Sequence, residues 1–442
     1  MVRQGFPFTH GPARQDGDGV TLGLVNVNRP WIFTKSACLM PRMPVTSPSR
    51  LSRDAQRLLA LTEALARSGS RLEDIYWENL LGDQLNKLLL GKKNKTVETT
   101  LDYLLASDIN AYEILVEQAE TLSESTTVAL NGGDYDALLF SAPIVAWTRY
   151  QLPEGELTQD HAGALTAQLA AHIAAPGAHL ALIPRLVNFD QMPQSFQETR
   201  NWTQRLALQA LSLANEPCPL GQPSDSEGML ADARFMVGVI AVPKGQALFR
   251  WQVRQEDHGF PSRQQCHDDW SAACADTLAA LFTGCHVEYL QPDAYYVNSR
   301  EADRRIRPLA LKAAVTWLQT AAHLSGGDLR AVIAGCGESS VEEYRIGFST
   351  RLSNEVVYGC IWPVLSKEEA LADGLEAGHI DVPDEVAALL KEMGVTDVRR
   401  LPGIYPAEFC DDCGAPHFPN PLGEMLHPEL PEETDLGPIH FH

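Results

Sequence analysis

From Leu51 to Ser125 the apolar residues return at the spacing of an α-helix. Leu58, Leu59, Leu61 and Leu65 fall three and four positions apart, and Leu72, Ile75, Leu80, Leu81, Leu85, Leu88 and Leu89 continue the stripe. That period places them on one core-facing side. Ser52 stands where an N-cap belongs and Ser68-Gly69-Ser70 breaks the run. Two further helices are predicted over Val97–Leu105 and Ala111–Ser123.

Beyond Ser125 the period shifts toward two. Thr126–Leu130 and Asp136–Trp147 flank Asn131-Gly132-Gly133, a hairpin signal because these residues tolerate positive φ. A helix (158–174), a strand (179–187) and a helix (195–214) are predicted next. A loop follows at Pro217, Pro219, Gly221 and Pro223. A second hairpin is predicted from Phe235–Val242 through Pro243-Lys244-Gly245 into Ala247–Val253. It leads into a helix (262–282), a strand (285–290) and a helix (300–322).

The two blocks read as an internal duplication. Gly177-Ala178-His179-Leu180 lies 107 residues before Gly284-Cys285-His286-Val287, each at a helix-to-strand joint. The capping boxes Ser195-x-x-Glu198 and Asn298-x-x-Glu301 lie 103 residues apart. Strands at Leu329–Ile333, Glu343–Ser349 and Val356–Pro363 are expected to complete the same sheet. A helix at Asp384–Met393 is closed by Gly394, and the prolines after Leu401 argue against long regular elements.

The predicted fold class is therefore α+β. A helical region (49–125) precedes a duplicated ββαβα core with a mixed sheet (126–365), an acidic helical linker (366–404) and a Pro-rich, zinc-knuckle-like Cys/His tail (405–442). Residues 1–48 show no sustained period and a basic balance, which reads as disorder or as a mis-assigned start ahead of Met40 or Met43.

Charge narrows the partners. The net charge of −22 and pI near 5.0 oppose binding of the whole molecule to nucleic acid or to an anionic membrane surface. No apolar run reaches the length of a membrane span, and no signal peptide is evident. Nine cysteines, an odd number scattered along the chain, suit a reducing compartment, so a cytoplasmic protein is expected.

One motif carries specific chemistry. Cys410-Asp411-Asp412-Cys413-Gly414 has the spacing by which a tight turn aims two sulfurs at one ion, and thirteen residues separate Cys413 from His427. Zinc is the expected cofactor, with Cys410, Cys413 and His427 as ligands. The fourth falls among His417, His440 and His442, and His442 is the expected choice. A plain thiol pair and a redox dithiol are the alternatives. The dithiol is disfavoured because no helix follows to depress a cysteine pKa.

Other features are weaker. Arg300, Arg304, Arg305 and Arg307 stand at a predicted strand-to-helix turn, where they could bind an anionic small ligand or simply pair with neighbouring acids. His179 and His286 hold equivalent places in the two blocks and read as satisfied strand-end residues rather than paired ligands. His267-Asp268-Asp269 reads as a helix start, and Gly335–Ser340 as a turn without the lysine and helix of a phosphate loop. No nucleophile elbow or zinc-protease motif occurs.

The stretches 51–58, 68–74, Arg300–Pro308, Glu343-Tyr-Arg-Ile-Gly-Phe348 and Glu408-Phe-Cys-Asp-Asp-Cys-Gly-Ala-Pro416 resemble a family of bacterial proteins known as a domain of unknown function, the one numbered 2863. The resemblance spans about Leu51 to His442. It implies a bacterial cytosolic protein, supports a start near Met40, and carries no catalytic residue. The expected function is a non-enzymatic binding or assembly protein with a structural zinc site and a protein or small-molecule partner. The alternative is an enzyme or sensor that takes an anionic ligand at the arginine-rich turn.

Overall fold

The computed structural model describes residues 51–91, 95–148, 152, 155–221, 231–254, 259–337, 340–364, 381–411, 413–431 and 434. The expectations for residues 1–48 and for His440 and His442 lie outside this set. The architecture is mixed α+β, with a helical N-terminal region and several sheets.

The N-terminal helices are α1 (Arg53–Ala66), α2 (Arg71–Leu90), α3 (Lys95–Ser107) and α4 (Ile109–Glu124). Side chains of Ser52, Ser70 and Asp108 accept from Ala55 N, Glu73 N and Ala111 N, satisfying backbone donors that a helix start leaves open. Leu58, Leu81 and Leu85 are buried where the period placed them, and Leu104 and Leu115 are buried on the next two helices. The stripe fails at the start of α2, where Leu72 is 82% exposed and Ile75 and Tyr76 are also exposed.

The central sheet contains β1 (Ser125–Leu130), β2 (Gly133–Trp147), β3 (His179–Leu182), β4 (Ala231–Pro243), β5 (His286–Tyr289) and β6 (Asp293–Ala294). Its order is β1-β2-β4-β3, with β5 and β6 also on β2. The hairpin between β1 and β2 turns at Asn131-Gly132, closing on the Leu130↔Gly133 pair. All pairings in this sheet are antiparallel, which corrects the expectation of a mixed core sheet. The long β2–β4 ladder runs from Tyr135↔Pro243 to Trp147↔Ala231.

Helices cover both faces. On one, α5 (Gln159–His172) and α7 (Arg263–Leu278) bury Leu165, Leu169, Trp270 and Leu278 against Phe140, Ile144, Met236 and Ile240. The Gln168 amide ties the two helices together by donating to Ala273 O and Thr277 Oγ1. On the other face, α6 (Phe196–Ala210) and α8 (Tyr295–Ala321) share a core with α1–α4. The Ser195 hydroxyl caps α6, as its spacing predicts.

Three expectations are corrected here. Ala247–Val253 forms no strand; Phe249 makes a single bridge to Ala174, and a 3-10 turn (Arg250–Gln252) wraps over the end of α5. α8 begins at Tyr295 rather than at residue 300, so Asn298 is no N-cap and its amide donates to Ser141 O and Gln291 O. The carboxylate that receives an N–H at this helix start, from Tyr296, belongs to Glu124 on α4.

The third correction concerns β7 (Leu329–Cys336), β8 (Glu343–Thr350) and β9 (Tyr358–Pro363). With β10 (Asp397–Tyr405) they form a separate sheet of order β10-β7-β8-β9. α8 spans 27 residues, about 40 Å at the helical rise. It packs on β2 and β4 and also on β9, so it carries the chain off the first sheet to the start of the second. β10 runs parallel to β7 through Pro402, with its register shifting between Arg400 and Ile404. A bulge is where a strand tolerates proline's missing donor. α9 (Val382–Glu392) follows the predicted span and packs against α8.

Candidate metal centre

The described part of the tail is docked on the second sheet rather than loose. β11 (Phe418–Pro419) and β12 (Met425–Leu426) form a short hairpin, and Phe418, 1% exposed, packs with Val356 and Ile361. A paired-glycine trough receives it. Gly347 and Gly359 are directly opposed across β8 and β9. A Cβ at Gly359 would lie 2.3 Å from the Phe418 ring, and one at Gly347 would lie 2.1 Å from Pro419 O. Strand glycines mark such close approaches.

The cysteine loop is rooted beside this hairpin. Phe409 and Pro416 form an isolated bridge, Cys410 N donates to Ala415 O, and Gly414 N donates to Cys410 O. Gly414 adopts φ +72°, which a residue without Cβ reaches at little cost. The hairpin turn is built on Asn420, whose side-chain oxygen accepts from Leu422 N and Glu424 N. That turn reverses the chain and brings His427 back to the cysteines.

The result is a convergence of donors. Ligand atoms of Cys410, Cys413 and His427 all lie within 4.8 Å of one another, and Cys413 Sγ stands 3.2 Å from His427 Nε2. Ligands on a zinc tetrahedron sit about 3.5–3.8 Å apart, given Zn–S near 2.3 Å and Zn–N near 2.0–2.1 Å. Two thiolates and an imidazole form a donor set suited to zinc, and the residues fit the ion the spacing implied. No other trio of His, Cys, Asp or Glu among the described residues converges this way. By contrast, burial pushes the Cys274, Cys336 and Cys360 thiols up to about 12, which keeps them protonated and inert.

Arg345 on β8 anchors the loop and was missed from sequence. Its side chain is 0% exposed. Nη1 donates to Glu408 O at 2.6 Å and to His417 O at 2.7 Å, while Nε donates to Glu343 Oε1 at 2.7 Å. The guanidinium also lies over the Phe409 ring. One side chain thus grips both stems of the cysteine loop. The signal available in sequence was an arginine at an alternation position otherwise held by core residues, Tyr344-Arg345-Ile346.

The remaining candidates separate. Arg300 pairs with Glu120 at 2.5 Å, Arg304 with Glu301, and Arg305 with Glu301 and Glu288. Arg307 is buried, donates to Pro363 O and lies over Trp362. All four stand inside α8 rather than at its N-terminus. His179 faces Ala241, the β4 partner of Ala137, whereas His286 faces Trp147. Those positions are ten residues apart along β2, roughly 33 Å, so the two histidines share no site. The ring of His267 meets Tyr289 O through Nε2 at 2.7 Å.

The family model described as Protein of unknown function (DUF2863) matches residues 43–441. Comparison with curated proteins and with solved structures gives no match. No helix among the described residues is long and apolar enough to cross a membrane.

Proposed function

The chain belongs to that family of unknown function, and we propose that it is a non-enzymatic binding or assembly protein whose C-terminal tail is clasped onto the second sheet by a structural zinc ion. The observation that carries the reading is the convergence of Cys410, Cys413 and His427 where Arg345 and the glycine trough already hold the chain. Zinc in such a site contributes folding energy outright and binds only deprotonated cysteine, so a reducing, cytoplasmic setting fits it. Ile404, Phe409 and Leu422 stand exposed on the elements around the clasp, apolar surface that a partner protein would cover.

Metal analysis of the purified full chain tests this. About one zinc per chain is expected, lost in Cys410→Ser/Cys413→Ser together with protection of the tail from protease. Wild-type protein purified without chelator and free of zinc would overturn the reading.

We further propose that the central sheet descends from a duplicated unit. Each strand that follows a covering helix pairs with the other block's long strand, β3 with β4 and β5 with β2. Gly177 and Gly284, at the matching helix-to-strand joints, both adopt positive φ, +83° and +78°. Equating His179 with His286 equates Ala241 with Trp147, which centres a twofold relation on the Ala142↔Met236 pair. An experimental backbone in which residues 133–210 and 231–321 superpose by no such axis would reject the duplication.

A further inference from the structure

We propose that His417 supplies the fourth ligand, making the clasp a Cys2His2 centre in which Glu408 orients His417 from behind. The inference rests on the metal reading above and names the donor that reading lacks.

Strand register is the first support. Phe418 and Pro419 pair with Leu426 and Met425, so the next position outward on each strand sets His417 across from His427. Directly opposed side chains on an antiparallel pair have Cβ atoms about 5 Å apart, and the two imidazole centroids stand 6.4 Å apart. Both rings lie on the face opposite Phe418 and Leu426, the face from which the cysteine loop approaches.

The second support is the state of the His417 ring. Its Nδ1 is buried without a hydrogen-bond partner, and the Glu408 carboxylate oxygen Oε2 lies 3.8 Å from it. A metal-ligating imidazole characteristically donates its other ring N–H to a carboxylate, which fixes tautomer and orientation. With Nδ1–H directed at Glu408, Nε2 is the remaining donor atom. His427 approaches Cys413 through the same atom.

The backbone provides the third. Arg345 donates to the carbonyls of Glu408 and His417, and His417 N donates to Glu408 O. The residues that would give the ligand and its orienting carboxylate are therefore the two whose carbonyls the buried Arg345 holds. No His417 ring nitrogen lies within 4.8 Å of all three other donors, so ligation requires the His417 side chain to turn toward them, and that side chain retains 24% exposure. Binding Zn2+ would release the two thiol protons to solvent, leaving two thiolates and two neutral imidazoles around a dication, a neutral centre beside the Arg345–Glu343 pair. His440 and His442, outside the described residues, are the competing donors.

The test uses the full chain, stripped of metal by chelator and titrated with Zn2+ and with Co2+. Wild type is compared with His417→Ala, Glu408→Gln and the double variant His440→Ala/His442→Ala. Wild type should bind one metal and show the intense visible bands of four-coordinate, thiolate-ligated cobalt. His417→Ala should lower zinc affinity roughly 10–100-fold and change the cobalt spectrum, Glu408→Gln should lower affinity about tenfold, and the chain-end double variant should match wild type. X-ray absorption of wild-type zinc protein should count two sulfurs and two imidazoles, a readout that depends on no variant folding. Wild-type affinity and spectrum in His417→Ala, one imidazole by absorption, or loss of affinity in the chain-end variant would each overturn the role of His417 while leaving the metal site standing. A wild type that takes up no metal would remove both.

Discussion

Gly359→Ala is the sharpest perturbation of the clasp because its two effects have opposite signs and act on different transitions, global unfolding and opening of the tail. Alanine in a strand interior is favoured over glycine by about 0.5–1 kcal/mol through the entropy of the unfolded chain. Against this, the added Cβ would stand 2.3 Å from Cγ and Cδ2 of Phe418 and 2.4 Å from Cδ1, where carbon atoms prefer roughly 3.5–4.0 Å. These atoms are the base of a ring that is 1% exposed, and the ring cannot swing aside without leaving its site between Val356 and Ile361. Expelling it forfeits about 1.5–3 kcal/mol of burial. β9 stays folded when the tail opens, so the unfolded-chain gain does not offset this loss and the tail opens more easily by about 1.5–3 kcal/mol. Phe418→Ala alone should cost about 3–5 kcal/mol. In the double variant the ring's contribution can be lost only once, so the effects should fall short of additivity by about 1.5–3 kcal/mol. Native-state hydrogen exchange of the β11 and β12 amides at fixed zinc reads the local opening directly. A Gly359→Ala tail that is more protected than wild type, or strict additivity with Phe418→Ala, would refute the trough.

Three further outcomes follow from the same structure. Arg345→Met removes both carbonyl anchors and strands Glu343, so a loss of about 3–5 kcal/mol is expected in denaturant unfolding. Arg345→Lys should restore only part of it, because the guanidinium divides its donors between Glu343 (Nε) and the two carbonyls (Nη1), and a single ammonium lacks that spread. Burial raises the Glu124 carboxyl from 4.5 to about 7, so the folded chain holds its proton more tightly than the unfolded one. That contribution is complete below about pH 4.5 and disappears as pH rises through 7, so Glu124→Gln should flatten a pH-dependent loss of about 3 kcal/mol in stability measured from pH 4 to 8. Arg300→Ala leaves the nearly buried Glu120 without its partner and should cost about 1–3 kcal/mol, whereas Arg304→Ala, on an exposed i,i+3 pair, should cost under about 1 kcal/mol in the same denaturation assay.

What was legible in the sequence was what is decided locally. The Asn131-Gly132 turn, the Ser52 and Ser195 caps and the Cys410–Gly414 loop each depend on residues within a few positions of one another. Failures occurred where the deciding partner is distant in sequence. α8 begins early because Glu124, 172 positions from Tyr296, receives an N–H at its start, so the local Asn298-x-x-Glu301 box was a false signal. Ala247–Val253 alternates like a strand, yet its neighbour is the end of α5 and not a sheet edge. The separateness of the second sheet depends on the length and packing of α8, which no periodicity announces. At the site the two cysteines and His427 could be read from spacing, whereas Arg345, Gly347 and Gly359 could not be connected to them, since their purpose exists only once β8 and β9 lie beneath the tail.

The balance of forces at the clasp gives the proposed zinc ion its physical purpose. The apolar part of the contact is small: Val356, Ile361 and Phe418 are its buried members, with Leu426 packed on them. At about 1.5–3 kcal/mol per buried side chain this supplies on the order of 6 kcal/mol, against about 10–16 kcal/mol for a structural zinc ion in a small finger. The tail is acidic, as is the chain that carries it, so long-range electrostatics do not draw the two together. Arg345 and the glycine trough therefore fix where the tail lies, and the proposed zinc ion, once bound, would supply most of the energy that keeps it there. On this division of labour chelation should open the tail while leaving the two sheets intact, whereas losing Arg345 should weaken both the tail and the strand that bears it.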